Sequence, residues 1–368
     1  MKFTINTAVL QEMVSKSVKC ASNDNQRPLT GLIAIQLKDN LFTLITSSES
    51  NYLYVNKEKI VGDDFHVVVP VEIFSKLVSK LTAESTTLEF TENTLVVKSG
   101  GTYSIEVSLN EEGEFTKYPD PFNKIDLSAD TTKHYPIKRS TLNLILAVNS
   151  ASLAAGEVAK DLPEVYRGYY MSDSIVTTDT VKMCGVAIKV CDVPMMVRPE
   201  TIKLTEVFSD ENLEIAVQDD TIIIRSLDSA DCVLMSKLMS GIEDFQIDAL
   251  NDLLATNFDS DCAVNKTTLL QVLDRLSLFI DKFDDYGVYL TFTQEGIKFA
   301  NKKSSSEELI SYEASNNFKP FTCKVDIKML IEQVKAAPGD LINLKYGDEV
   351  CLKFTDGNVT QLVALNND

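Results

Sequence analysis

The chain lacks several features on which common functional assignments depend. Its apolar runs are short stretches such as LILAV, far below the roughly 18 residues that a membrane-spanning helix needs. It contains no GxSxG, HExxH, Walker or GxGxxG motif and has only two histidines, so the familiar catalytic signatures are missing. We therefore expect a cytoplasmic protein that is not an enzyme, needs no cofactor or metal and has no membrane partner.

Paired cysteines and an excess of basic residues are also missing. The seven cysteines include no CxxC pair, so ordinary buried thiols are expected rather than a disulfide framework. The 35 Lys and Arg residues against 54 Asp and Glu give a net charge of -19, which argues against a simple basic nucleic-acid binder. The acidic pairs are interpreted as solvated turn carboxylates rather than cation ligands; they are Asp63-Asp64, Asp219-Asp220 and Asp284-Asp285.

The sequence does contain three ordered features that each recur three times. A strand-like segment runs into an amphipathic helix at FTINTAVLQEMVSKSV, YPIKRSTLNLILAVNS and AVNKTTLLQVLDRLSL. A second short helix recurs as VEIFSKLVSKL, PETIKLTEVFS and VDIKMLIEQVK. Alternating strand pairs follow, as TLEFTENTLVV, NLEIAVQDDTIII and LINLKYGDEVCLKF, and they predict hairpins. Three features in one order indicate a repeat architecture.

Each repeat is predicted to be a module of antiparallel strands and two short helices, so the fold class is α+β. The acidic stretches 110–130 and 242–261 suit linkers, which places the modules at 1–120, 131–248 and 256–368. In the helix 71–81, we expect Ile73, Leu77 and Leu81 to pack on the sheet and Lys76 and Lys80 to face outward.

Six segments follow one another in chain order: MKFT at the start, RPLTGLIAIQL, VVVPVEIFSKL, LEFTENTLVVKSGGTYSIEVSL, TTDTVKM and FDDYGVYLTFTQEGIKFA. They resemble the corresponding segments of the bacterial-type DNA polymerase sliding clamp, the beta subunit of the replicative polymerase. The resemblance is divergent and spans the whole chain. It implies the DNA clamp fold and a head-to-tail homodimer closed into a ring of six modules. Such a ring encircles double-stranded DNA without sequence preference, is placed there by a clamp loader and tethers a DNA polymerase, so it confers processivity without catalysis.

The distribution of charge agrees with that implication. The six predicted helices together carry +4 and the remaining residues -23, which together make the -19 of the chain. Weak attraction inside a ring and repulsion outside would suit sliding on DNA, whereas lysines on a solvated helix face are the alternative interpretation. The candidate DNA-binding residues, of which Arg27 matches an arginine of the family's loop, are Lys16, Lys19, Arg27, Lys76, Lys80, Lys138, Arg139, Lys203, Lys266, Arg275, Lys328 and Lys335.

The resemblance also implies a dimer interface and a pocket for partner peptides. The interface would set Tyr103 and Ile105 against Phe279 and Ile280 of the neighbour, unless these four are interior residues of their own modules. The pocket would be formed by Tyr166, Thr178, Thr180, Val181, Lys182, Met183, Ile247, Leu362, Val363, Ala364 and Leu365.

The pocket segments depart from the family's usual pattern. This chain has TDTVKM where the family usually has TDGHRL, and QLVALNND where the family has a Met-Pro-Met-Arg-like tail. We therefore expect a partner peptide different from the usual bacterial one, as would suit a phage-encoded or otherwise specialised clamp. The alternative function is an acidic clamp-fold protein that mimics DNA or inhibits a replication factor; the -19 charge fits it, but the positive sum over the helices does not.

Overall fold

The computed structural model describes residues 1–22, 28–280, 286–302, 305–312, 318–347 and 350–366. The chain divides into two compact units, each assembled from two stretches of sequence. Unit 1 comprises Met1–Ser140 and Glu200–Leu238, and unit 2 comprises Thr141–Pro199 and Met239–Asp368. Each unit contains one eight-stranded and one four-stranded sheet, and all neighbouring strands are antiparallel.

The strands are short, and their bounds follow in chain order: β1 Lys2–Asn6, β2 Leu32–Lys38, β3 Leu41–Ser47, β4 Asn51–Lys57, β5 Phe65–Pro70, β6 Ser85–Thr91, β7 Thr94–Lys98, β8 Thr102–Glu106, β9 Lys133–Lys138, β10 Tyr169–Met171, β11 Ile175–Thr178, β12 Lys182–Val186, β13 Met195–Val197, β14 Asn212–Gln218, β15 Thr221–Ser226, β16 Cys232–Lys237, β17 Ser260–Asn265, β18 Gly287–Phe292, β19 Gly296–Ala300, β20 Glu307–Ser311, β21 Phe321–Asp326, β22 Leu341–Tyr346, β23 Cys351–Asp356 and β24 Val359–Ala364.

The α-helices are α1 Thr7–Ser17, α2 Val71–Val78, α3 Arg139–Asn149, α4 Val158–Asp161, α5 Pro199–Leu204, α6 Ile247–Ala255, α7 Lys266–Ser277 and α8 Ile327–Ala336. Short 3-10 helices are Pro28–Gly31, Phe122–Lys124, Ser150–Ser152, Glu164–Arg167, Thr205–Val207 and Ile242–Asp244. All six helices that the repeats predict are present. No helix of the described ranges is long and apolar enough to span a membrane.

The strand order repeats three times along the chain. Unit 1 has the sheets β1-β6-β7-β8 and β5-β2-β3-β4-β16-β15-β14-β9. Unit 2 has β20-β19-β18-β21 and β13-β10-β11-β12-β24-β23-β22-β17. Each eight-stranded sheet therefore joins two four-stranded halves, and the α+β class of repeated antiparallel sheets with short helices is confirmed. The bounds of the three modules stay a prediction, because the compact units follow the eight-stranded sheets instead.

Local sequence explains where the first helix of a repeat begins. The Asn6 side chain accepts a hydrogen bond from the Ala8 N–H at 3.0 Å, and Asn265 accepts one from the Thr268 N–H at 3.0 Å. Such N-cap residues satisfy backbone donors that have no partner inside the helix. The predicted hairpin turns at EN and QDD are confirmed, and Glu92 and Asp219 take positive φ of 51° and 52° there.

The buried face of α2 differs from the prediction. Val71, Phe74 and Val78 are the buried residues, a spacing of three and four that defines one helix face. The placement of Ile73 on the sheet is wrong: Ile73 is 56% exposed, because one residue before Phe74 the helix has turned by about 100°. Leu81 is buried as predicted, and all seven cysteines are buried thiols, also as predicted.

Candidate partner pocket, basic helices and open sheet edges

A cavity of about 270 Å³ in unit 2 lies between the β11–β12 turn, the end of β24 and helix α6. It brings together eight of the eleven residues predicted for the partner pocket: Tyr166, Thr178, Thr180, Val181, Lys182, Met183, Leu362 and Ala364. The sequence did not predict the rest of its lining: Gln246, Ala249, Leu250, Leu253, Val350 and Cys351. We call this cavity the partner pocket.

Three predicted pocket residues lie elsewhere. Val363 is fully buried in the core of unit 2, and Leu365 packs against that same core. Ile247 lines a neighbouring groove at the start of α6. The missed residues on α6 lie in the stretch interpreted as a linker, where the apolar spacing of Ile247, Leu250 and Leu254 was the signal for an amphipathic helix.

The β11–β12 turn is held in a conformation that its sequence does not favour. Thr180 has φ of +76°, a left-handed conformation that is unusual for a β-branched residue. The Asp179 carboxylate accepts hydrogen bonds from the N–H groups of Val181 at 3.0 Å and Lys182 at 2.6 Å. The Thr178 hydroxyl donates to the carbonyl of Lys182 at 2.8 Å and accepts from the Thr180 N–H at 2.9 Å. These four bonds offset the strain at Thr180.

The cation in the pocket wall is neutralised within unit 2. Lys182 is only 8% exposed, and its ammonium forms ion pairs with Glu332 of α8 and, at 3.5 Å, with Asp179. A buried charge needs such partners because desolvation penalises it heavily. With Lys182 paired, the apolar side chains dominate what the partner pocket presents to a ligand.

Helix α6 is fixed as a wall of the partner pocket from its C-terminal end. The Lys353 ammonium donates to the carbonyls of Leu254 at 2.6 Å and Thr256 at 2.9 Å, which have no partners inside the helix. Burial lowers the pKa of Lys353. Gly185 lies beneath the helix, where a Cβ would come within 2.5 Å of Leu254, so the absent side chain lets α6 approach the sheet.

The predicted DNA-binding residues divide by their contacts. Those that are exposed and have no ion pair within the described ranges are Lys19, Lys80, Lys138, Lys203 and Lys335. Lys328 is also exposed and lies 3.5 Å from the centroid of the Tyr286 ring. Arg27 lies outside the described residues. The positive charge of these exposed lysines is not neutralised by an ion pair within the described ranges, as attraction of phosphates requires.

The other five basic residues contact protein groups. They are Lys16 with Asp231, Lys76 with Glu72, Arg139 with the Phe208 carbonyl, Lys266 with the Ala337 carbonyl, and Arg275 with Glu308. The Lys16 side chain is only 13% exposed. Burial alone would lower the pKa of Lys16, but hydrogen bonds to Asp231 and Glu12 outweigh burial, and the pKa is raised. Its first role is therefore to join α1 to the segment before β16.

The four sheets of the described residues end in eight strands, and two of these, β8 in unit 1 and β20 in unit 2, are equivalent in the repeated order to strands that pair elsewhere in the chain (β16 and β24, β4 and β12). We call β8 and β20 the open edges. On β8, Tyr103 is 43% exposed, whereas Ile105 is buried in its own sheet. After α7, Phe279 is 58% exposed and Ile280 is buried. Of the four predicted interface residues, the structure thus leaves Tyr103 and Phe279 available and buries the other two within their own units. An open edge presents unpaired backbone donors and acceptors that another strand can pair.

Comparison with known proteins finds a family model that matches part of the sequence and solved structures with a similar fold. Residues 1–119 match the family model of the DNA polymerase III beta subunit, N-terminal domain. The structure is similar over 100% of both chains to the beta subunit of DNA polymerase from Streptococcus pyogenes, at 18% identity and a TM-score of 0.84. It is similar over 100% of this chain and 99% of the other to the DNA polymerase sliding clamp of Bacillus subtilis, at 16% identity and a TM-score of 0.82. No curated protein matches the sequence.

Proposed function

We propose that this protein is a processivity clamp, because residues 1–119 match the family model of the DNA polymerase III beta subunit, N-terminal domain, and the whole chain has the fold of the bacterial sliding clamps. Two copies join head to tail, encircle duplex DNA and tether a replicative polymerase after a loader has placed them. The protein catalyses no reaction itself. The observation that carries the proposal is the pair of open edges that the strand order leaves.

The open edges follow from how the half-sheets join. Two of the joins are made inside the chain, by β4 pairing with β16 and by β12 pairing with β24. In the repeated order, β4, β12 and β20 are equivalent strands, and so are β8, β16 and β24. One strand of each kind therefore remains, β20 and β8. A second copy supplies the missing partner for each, and two such joins close a ring of six modules.

The internal joins also predict the register of the join between copies. At these joins Leu53 lies opposite Leu234, and Cys184 lies opposite Gln361. On the open edge β8, the residue equivalent to Leu234 and Gln361 is Tyr103. Each of the three lies opposite the equivalent residue of the preceding strand: Leu234 opposite Ile224, Gln361 opposite Phe354 and Tyr103 opposite Val97. On the open edge β20, the residue equivalent to Leu53 and Cys184 is Ser306. Leu53 lies opposite Thr46, Cys184 opposite Thr177 and Ser306 opposite Asn301, and these partners are equivalent in the preceding strands. Tyr103 should therefore lie opposite Ser306 of the second copy.

Side-chain burial supports the same join. Three residues occupy the same position in the repeat, 14 positions after the residue that precedes the first helix: Cys20 after α1, Ser152 after α3 and Phe279 after α7. Cys20 and Ser152 are buried, whereas Phe279 is 58% exposed. Ser152 accepts a hydrogen bond from Gln333 of α8, the residue equivalent to Leu77 of α2. Phe279 would thus pack on α2 of the second copy, and this contact would also bury the exposed Ile73.

The basic residues fit a hole that attracts DNA weakly. Lys19, Lys80, Lys138, Lys203 and Lys335 lie on or beside the repeated helices, and no ion pair within the described residues occupies them. Contacts of this kind bind phosphates without reading sequence. Lys16 pairs with Asp231 across the first join, and the equivalent Arg275 pairs with Glu308 of the open edge β20, so both are better suited to a join than to touching DNA.

The partner pocket would receive the polymerase and the loader in turn. Its volume of about 270 Å³ and its lining of Leu, Val, Met and Tyr side chains suit one or two apolar side chains of a short peptide. Both partners would compete for it, which explains how one small site serves loading and then synthesis.

A disulfide trap tests encirclement without knowledge of the loader. At the β4–β16 join, the Asn56 N–H donates to Asp231 and the Lys237 N–H to Ser50, each directly opposite, so Leu53 and Leu234 form a non-hydrogen-bonded pair. The Cα atoms of such pairs lie about 4.5 Å apart, within the range that a disulfide spans. The variant with both Tyr103→Cys and Ser306→Cys should close covalently as a dimer, and the seven native thiols are buried.

Dilute subunits of the double variant are mixed with nicked circular or linear duplex DNA, oxidised, alkylated and denatured in SDS. A closed ring stays on circular DNA and slides off linear DNA, because the link is topological. The single variant Tyr103→Cys should retain neither DNA. A cross-linked dimer that retains no circular DNA would favour the DNA mimic, and failure to cross-link would refute the head-to-tail join.

A further inference from the structure

A second groove, of about 520 Å³, adjoins the partner pocket at the start of α6. Gln246 and Ala249 line both spaces, so a bound segment passes from one to the other without leaving the surface. The groove is formed where the 3-10 helix Ile242–Asp244 gives way to α6, and Phe245 anchors the change of direction because it is buried. We call it the α6 groove.

The floor of the α6 groove is apolar and aromatic. Tyr170 and Phe245 stack there with ring centroids 5.5 Å apart and an interplanar angle of 11°. Pro194, Ile242 and Ile247 complete the apolar lining. Such a floor suits the methylene stem of a long side chain, and ring faces attract cations.

All charged residues of the α6 groove lining are acidic. They are Glu243 and Asp248, both exposed and without an ion pair among the described residues. The contrast with the partner pocket is sharp, since the cation there, Lys182, is already neutralised by Glu332 and Asp179. A ligand that spans both spaces therefore meets a neutral apolar cavity and then an unpaired negative rim.

We propose that the α6 groove binds a lysine or arginine side chain of the same partner segment whose apolar side chain fills the partner pocket. This inference rests on the proposed function and names the chemistry of the partner. The basic head would pair with Glu243 and Asp248 while its stem covers Tyr170. Because the two spaces share Gln246 and Ala249, the basic residue lies only a few positions from the apolar anchor, at roughly 3.3 Å per residue of extended chain.

Three labelled peptides test the proposal by fluorescence anisotropy. Each carries a central Leu-Leu-Phe in a Gly/Ser background, flanked on both sides by Lys-Lys, Ser-Ser or Glu-Glu. The Lys-flanked peptide should bind about fivefold tighter than the Ser-flanked one at low salt, because two exposed charge pairs are gained. The Glu-flanked peptide should bind more weakly, and the differences should shrink as NaCl is raised.

Matched variants assign the effect to the groove. Replacing Glu243→Gln and Asp248→Asn together should remove the preference for Lys flanks and leave the Ser-flanked peptide unaffected. Asp252→Asn is the control, since Asp252 is exposed on the same helix but lies in neither lining, and it should keep the preference. Leu253→Asp, in the partner pocket, should abolish binding of all three peptides.

The possible failures are distinguishable. Equal binding of all three peptides that Leu253→Asp still abolishes would overturn the α6 groove and leave the partner pocket standing. A preference for Lys flanks that survives loss of Glu243 and Asp248, or that Asp252→Asn removes as well, would also overturn it. If no peptide binds the native chain, the partner pocket itself is refuted, and with it this extension.

Discussion

The two joins inside the chain, β4 with β16 and β12 with β24, have the same strand pairing but different surroundings. At the first join, in unit 1, Tyr118 of the following linker lies on the sheet and its hydroxyl is 2.8 Å from the Ser47 hydroxyl oxygen. At the second, in unit 2, the equivalent of Ser47 is Thr178, which lines the open partner pocket. A repeated framework can thus close one join with its own linker and leave another open for a ligand.

The difference arises from which side chains the linkers and strands supply. In unit 1, Tyr54 donates to Asp120 at 3.0 Å and its ring packs 5.4 Å from Phe122, which draws the linker down onto the sheet. In unit 2 the strand position equivalent to Tyr54 is Gly185, and the linker forms α6, which presses Leu254 into the space. The helix stands as a wall beside the sheet, and the cavity remains beside it.

The largest expected effect concerns the proposed third join, between β8 of one copy and β20 of another. Replacing both Ile73→Asp and Phe279→Asp should weaken the dimer about 100-fold or more, because each change buries a charge in an apolar contact. Sedimentation velocity over a dilution series measures the dissociation constant. Leu341→Asp is the matched control, since Leu341 is also 58% exposed but lies away from both open edges. If the double variant has the same dissociation constant as the native dimer, the third join is not formed in the way the other two are.

The next effect tests whether the first join is closed for stability. Tyr118→Ala should lower the free energy of unfolding by about 3 kcal/mol, because it removes a buried aromatic ring and leaves a cavity. Tyr118→Phe should cost only about 1 kcal/mol, the hydrogen bond to Ser47. In the second join, Leu253→Ala should cost less than about 1 kcal/mol, since Leu253 is 41% exposed. Equal losses by urea unfolding would contradict the contrast between the joins.

A smaller effect comes from the charges that bind the first join. Lys16 pairs with Asp231 at 3.0 Å across the first join, as Lys182 pairs with Glu332 across the second. Burial raises the pKa of Asp231, but hydrogen bonds from Lys16 and Ser226 outweigh burial and hold it below the usual 3.8. The carboxylate therefore stabilises the fold above about pH 3.8, and this contribution is lost as the pH falls through the lower folded pKa.

Replacing Asp231→Asn should lower the free energy of unfolding by about 2 kcal/mol at neutral pH, and the deficit should shrink as the pH falls below 3.8. Asp130→Asn, at an exposed linker position, is the control and should have little effect at any pH. Urea denaturation at several pH values provides the measurement. A deficit that does not change with pH would mean that packing, and not the charge, is what Asp231 contributes.

Much of this contrast could be predicted from local sequence, and some of it could not. The repeats located the helices and hairpins because N-cap residues such as Asn6 and turn residues such as Glu92 act within a few positions. The Lys16–Asp231 pair joins residues 215 positions apart, and no local pattern indicates it. The resemblance to sliding clamps predicted most of the residues that line the partner pocket. Helix α6 was missed because its stretch is acidic and was therefore interpreted as a linker.

The smallest effect tests the strain at the mouth of the open join. Thr180 has φ of +76°, whereas Glu49, at the equivalent place in the β3–β4 turn, does not have a positive φ. Thr180→Gly should raise the free energy of unfolding by about 1 kcal/mol, because glycine adopts this conformation without the steric cost that a side chain meets. Thr178→Gly, in the same turn, should instead destabilise the protein, since its hydroxyl bonds to Lys182 and Thr180 are lost. If Thr180→Gly is destabilising, then the threonine side chain contributes more to the pocket wall than its backbone costs, and the second join is less open than its cavity implies.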